Sequence, residues 1–172
     1  HMNEFPTADE AAAYRMLKQV LQNHVSLQEM SILATSMACT GLLGDRCLER
    51  YTDRTAPPEI VATMLDWLKH GVRERQTAPT LPLFGEASAQ EPDARVGEHS
   101  RCLYDVLRQL LNDVIDEQQL TLLGSMQIVL RLTADVLSMF LHQFDHTLAE
   151  IDKIIDEVVG PFDRTDVGAP LH

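Results

Sequence analysis

The chain has 172 residues, with 14 Lys and Arg against 26 Asp and Glu, for a formal net charge of −12. That length suits one compact domain or two small units packed together, and the charge repels phosphate backbones, which argues against direct nucleic-acid binding. No uninterrupted apolar run reaches the roughly 18–20 residues of a membrane span, and Cys39, Cys47 and Cys102 are odd in number and sit in helical patterns, which points to reduced thiols rather than a disulfide framework.

His1 reads as an addition ahead of Met2, and no basic, apolar leader follows it, so a cytoplasmic location is the expectation. The acidity is uneven. Residues 1–75 carry 8 basic and 10 acidic side chains, residues 76–100 carry 1 and 4, and residues 101–172 carry 5 and 12.

The first predicted helix starts near Thr7 or Asp9, with Asp9 and Glu10 suited to the positive end of its dipole. Tyr14, Leu17, Val20, Leu21 and Val25 recur at intervals of three and four and predict one buried stripe. Ser26-Leu27-Gln28-Glu29 has the pattern of a capping box and places the start of a second helix there, running from about Leu27 to Arg50. Ala34, Thr35, Ser36, Ala38, Cys39, Thr40 and Gly41 form a small-residue run on it that would let another helix axis come close. Asp45-Arg46 with Glu49-Arg50 reads as a solvated face of i,i+4 pairs. Thr55-Ala56-Pro57-Pro58-Glu59 opens a third helix through Ile60, Val61, Met64, Leu65, Trp67 and Leu68.

Gln76 to Ser100 contains Pro79, Pro82, Gly85, Pro92 and Gly97 and shows no periodicity, which predicts a linker. Leu81-Pro82-Leu83-Phe84 is an apolar island in it. Leu83 and Phe84 are read as an anchor on the helices or a segment for partner recognition.

The stretch Tyr14–Leu33 is then written again as Tyr104–Leu123. Tyr14, Leu17, Gln19, Leu21, Gln28 and Leu33 match Tyr104, Leu107, Gln109, Leu111, Gln118 and Leu123 at one fixed offset, and most other pairs are conservative. Asp116-Glu117-Gln118-Gln119 falls where Ser26–Glu29 does and predicts a fifth helix from about Glu117 to Gln143, apolar almost all round. Thr147-Leu148-Ala149-Glu150 predicts a sixth, through Ile151, Ile154, Ile155, Val158 and Val159, ended by Gly160-Pro161 ahead of a loose tail. The expected architecture is an all-α helical bundle of about six helices, formed by tandem duplication of a three-helix unit with pseudo-twofold symmetry. Residues 1–75 and 101–172 would be the two units and residues 76–100 the linker. Exchange of halves between two chains, giving a homodimer, is compatible with that linker.

Chemistry is sparse. His142 and His146, four apart beside Asp145, have a spacing that chelates a metal only if a third ligand arrives from another helix. His146-Thr147-Leu148 resembles the phosphoacceptor segment of histidine phosphotransfer domains only in part, since Ala149 and Glu150 stand where that family has a Lys and a small residue. Neither GxSxG nor a phosphate-binding Gly-rich loop occurs. Tyr14 and Tyr104 occupy equivalent positions and need hydroxyl partners if buried. The expectation is a non-catalytic interaction or regulatory module of adaptor, inhibitor, immunity or chaperone type, without a cofactor or membrane association. Its partner would be a protein, basic in the sharper reading, met at Asp105, Asp113, Asp152 and Asp156. The rival is a bundle holding a metal or small ligand at His142 and His146, with enzymatic activity as a possible extension.

Overall fold

A computed structural model describes residues 7–28, 30–49, 59–75 and 93–143, together with 149, 150, 152, 153 and 156. The described residues are helical with short connections, and no strand occurs among them. Five helices follow in order: α1 (Ala8–Gln28), α2 (Ile32–Glu49), α3 (Ile60–Glu74), α4 (Asp93–Gln118) and α5 (Leu122–Gln143). Ala149, Glu150, Asp152, Lys153 and Asp156 are also helical. The rest of the predicted sixth helix, its Thr147 start and the tail lie outside the described residues.

The α1 N-terminus is a reciprocal capping box. Glu10 N–H donates to Thr7 Oγ1 at 3.1 Å, and Thr7 N–H donates to Glu10 Oε2 at 3.2 Å. One stripe of α1, Ala13, Leu17, Leu21 and Val25, is buried, as are Leu103, Leu107, Leu111 and Val114 of α4. Truncating any of the leucines to Ala should cost about 2–5 kcal/mol.

The first helix does not end at Ser26. It runs on through Gln28, and the serine that opens α2 is Ser31, whose Oγ accepts the Ala34 N–H at 3.1 Å. The chain turns back because Met30 N–H donates to Val25 O at 3.2 Å, a bond spanning the last turn. The same construction closes α4. Leu120 N–H donates to Ile115 O at 3.1 Å, Gln119 takes a left-handed φ of 53°, and Thr121 Oγ1 caps α5 by accepting Gly124 N–H at 3.0 Å. The predicted start near Glu117 is corrected in the same way, to Leu122. The linker also ends earlier than its composition implies, because Asp93 to Ser100 belong to α4. A carbon added at Gly97 meets nothing within 4 Å, so this glycine sits on an open face of the helix and does not break it.

The five helices share one hydrophobic core. Helix α2 packs against α5 and α4, and α5 also receives α1 and α3. The crossing of α2 and α5 is marked by Thr133, whose Oγ1 donates to its own helix at Val129 O (2.7 Å) and approaches Cys39 O of α2 at 3.5 Å. The small residues do not all serve that crossing. A Cβ on Gly41 would stand 3.4 Å from the Tyr104 ring of α4, and one on Gly124 would stand 3.0 Å from Glu10 Cδ of α1. At Gly124 a side chain would collide with Glu10, so this glycine admits α1 to α5, whereas a Cβ on Gly41 would make only ordinary contact with the Tyr104 ring.

Helix α5 is the most enclosed element. Its segment Leu122–Met139 has the length and mean hydropathy (1.3) of a membrane span, and 78% of it is buried inside this chain. It also carries Arg131 and Asp135, buried in mid-helix. Such charges need partners from neighbouring helices.

Candidate functional site

Two tyrosine–aspartate pairs organise the polar interior. Tyr14 of α1 donates its hydroxyl to Asp135 Oδ2 of α5, and Tyr104 of α4 donates to Asp45 Oδ2 of α2. The tyrosines are 90 positions apart, and so are the aspartates. Each tyrosine thus reaches from one half of the chain into the other, at matching places. A lysine or arginine accompanies each pair at the same shift. Lys18 Nζ lies 3.9 Å from Asp135 and 5.6 Å from the centre of the Tyr14 ring, while the charge of Arg108 acts on Tyr104.

Both phenols are held protonated. Burial raises Tyr14 well above its ordinary value of 10.0, helped by the charge of Asp135 and the bond to it. For Tyr104 the bond to Asp45 comes first and burial second. Burial, with Asp135 adding to it, pushes the Cys39 thiol up to about 12, so this cysteine behaves as a small apolar side chain.

The two pairs differ in their surroundings. Asp135 is fully enclosed, and its second oxygen, Oδ1, accepts Arg75 Nε at 2.5 Å. Arg75 ends α3, where its Nη1 also donates to Gly71 O at 3.0 Å. Arg131, one turn before Asp135, has its charge opposed by burial and by Arg75 but favoured by Tyr14 and Asp135. This end is a closed ionic network that ties α1, α3 and α5 together. Asp45 is half-buried, and the position matching Arg131 is Gly41, which is exposed. The reading of Asp45 as part of a solvated charge pattern is therefore corrected, since its carboxylate is taken up by Tyr104. Arg46 keeps a contact with Glu49 at 4.0 Å.

Asp135, Arg75 and Arg131 were not singled out by sequence reasoning, and Asp45 was read only as part of a solvated charge pattern. Asp45 and Asp135 had a readable signal, because they continue the offset that pairs Tyr14 with Tyr104. Arg75 had none, since it arrives from the end of another helix.

Among the residues proposed from sequence, Asp105 and Asp113 lie exposed on α4, where they share a shallow surface groove with Arg108, Gln109 and Asn112. Asp152 pairs with Arg73, and Asp156 with Lys69 at 2.6 Å, two rungs of a ladder that runs antiparallel along α3. These two carboxylates hold their helix to α3. His142 falls within α5, but its side chain lies outside the described residues, as do His146, Leu83 and Phe84. Among the described residues no group of three or more His, Cys, Asp or Glu is placed to hold a metal ion.

Large apolar side chains also face solvent. On α2, Leu33 (40%), Met37 (47%) and Leu48 (37%) are exposed, and with Gly41 they fall within about 80° of one another around the helix. Asp45 borders that strip. Leu27 and Leu123 are exposed near the two turns. No family of known proteins, no curated protein and no solved structure matches this chain.

Proposed function

We propose that this chain is a non-catalytic helical interaction or regulatory module, of adaptor, inhibitor, immunity or chaperone type, that binds another protein. The observation that carries this reading is the apolar strip Leu33, Met37 and Leu48, three large side chains exposed on one face of α2, where α1 exposes Met16 and Leu27 and α5 exposes Leu123. Scattered exposed leucines are ordinary; three on one helix face beside an acidic residue form a coherent patch. The net charge of −12 favours a basic partner through long-range attraction. The buried polar groups support the same reading, because the Asp135 carboxylate is committed on both oxygens to contacts that join helices.

In this reading the module arose by tandem duplication of a three-helix unit, and the helical residues Ala149, Glu150, Asp152, Lys153 and Asp156 belong to the sixth helix of a pseudo-twofold bundle. Support comes from relations sharing one shift of 90: the two tyrosine–aspartate bonds, the caps at Ser31 and Thr121, and the closing bonds at Met30 and Leu120. The packing of α1 on α5 and of α4 on α2 is related by the same shift.

The test places a photo-crosslinking residue at Met37 and, as a control, at exposed Asp66 of α3, and exposes the protein to lysate of its source cell. A single basic protein linked through position 37 and not through 66 is the expected result. Links to a second copy of the chain would replace this reading with self-association, and no link from a folded protein would sink it.

A further inference from the structure

The difference between the two tyrosine–aspartate pairs points to what the α2 strip receives. At the closed end, the carboxylate of Asp135 holds the Tyr14 hydroxyl on one oxygen and the Arg75 guanidinium on the other, with Arg131 beside both. Ninety positions away, later for the tyrosine and earlier for the aspartate, the same pair recurs, but Gly41 stands in place of Arg131. The Tyr104 ring flanks the space over that glycine, 3.4 Å from where a Cβ would be, and the glycine faces solvent. Asp45 receives Tyr104 on Oδ2, and among the described residues no cation comes within ion-pair distance of it. The result is an acceptor arrangement filled by a guanidinium at Asp135 and, among the described residues, unfilled at Asp45.

We propose that the notch formed by Gly41, Asp45 and Tyr104 is a docking site for an arginine side chain of a protein partner, carried on a segment with apolar residues on either side. Asp45 Oδ1 accepts the guanidinium as Asp135 Oδ1 accepts Arg75. The Tyr104 face offers the planar cation a surface to stack on, which an ammonium uses less well. Met37 and Leu48 flank Gly41 along the helix and take the apolar neighbours of the arginine. The net charge of the chain adds attraction for such a segment. The inference rests on the interaction-module reading and specifies which surface that module uses.

The probe is a fluorescein-labelled, stapled helical peptide presenting Leu, Arg and Leu at i, i+4 and i+8, compared with its citrulline counterpart by fluorescence anisotropy. Citrulline keeps the shape and removes the charge. The expected result is binding of the arginine peptide, weakened about tenfold or more by citrulline, as suits loss of a charge-assisted bond. Asp45→Asn should weaken it similarly. Gly41→Arg should also abolish it by placing a guanidinium in the notch from within, and this change replaces a helical glycine with a better helix former, so the fold is kept. Equal binding of the two peptides, undiminished binding by folded Gly41→Arg, or no binding by the parent chain would each overturn the proposal. The two readings separate on lysate: a partner crosslinked at Met37 equally well by parent and Gly41→Arg overturns the notch and leaves the module standing.

Discussion

The carboxylate of Glu10 lies against Gly124, in the volume that a side chain on that glycine would fill. It couples the first turn of α1 to the first turn of α5, and Glu10 is buried there although it is charged. At the matching places in the other half of the chain stand Ser100 and Ala34, a shorter side chain in place of Glu10 and a larger one in place of Gly124. Gly124→Ala should displace the Glu10 carboxylate and weaken its bond to Thr7 N–H, a cost that outweighs the gain in helix propensity and leaves a net loss of about 1 kcal/mol or less. Combining it with Glu10→Ser should recover most of that loss. A urea-melt double-mutant cycle reads the coupling, and strict additivity would refute the contact.

The enclosure of Asp135 and the openness of Asp45 predict unequal costs for the same substitution. Asp135→Ala removes a buried carboxylate from Arg75, Lys18 and Tyr14 at once, and should cost about 3–5 kcal/mol. Asp45→Ala removes one bond to Tyr104 near the surface and should cost about 1–2 kcal/mol. Chemical denaturation of the two variants measures both. Equal losses would mean that Arg75 does little to fix α3 onto α5.

The contrast between those aspartates also marks where sequence stops being informative. The stripes Ala13–Leu17–Leu21–Val25 and Leu103–Leu107–Leu111 were readable because burial on one helix face writes a period of three and four. The helix ends were misread because these turns carry no glycine or proline. Ser26 has a glutamate three residues on and looks like a cap, while the true cap, Ser31, is followed by Ala34. The packing that decides between the two serines is tertiary. Tyr14 and Tyr104 were recognisable as equivalents, but Asp135 sits in an apolar run and its cation lies 60 positions away. A single helix does not record which neighbour will neutralise it.

The raised phenols give the protein a defined alkaline limit. A group whose value is higher folded than unfolded lends stability below its unfolded value and loses it as pH rises. An unfolded tyrosine ionises near 10, whereas Tyr14 and Tyr104 in the fold stay protonated beyond that. Stability from these two groups should thus be constant through neutral pH and decline above pH 10. The penalty of Tyr14→Phe, clear at neutral pH, should shrink over the same range, as should that of Tyr104→Phe to a smaller degree. Denaturation at stepped pH tests this, with tyrosinate absorbance as a second readout. A Tyr14→Phe penalty that stays unchanged above pH 10 would contradict it.

Two backbone positions offer opposite corrections. Gln119 holds the left-handed conformation that closes α4, a state costing a non-glycine residue about 1 kcal/mol or more, offset in part by its own Nε2 donating to Asp116 O at 2.7 Å. Gly97 lies inside α4 with open space where its side chain would be, and a helical glycine costs about 1 kcal/mol relative to alanine. Gln119→Gly should stabilise by about 0.5 kcal/mol, and Gly97→Ala by about 0.5–1 kcal/mol. The sites are at opposite ends of α4 and share no contact, so the double variant should show the sum. Thermal unfolding of the three proteins decides it. A loss of stability in Gln119→Gly would mean that the amide bond to Asp116 outweighs the backbone strain, and that the turn into α5 is held by the side chain.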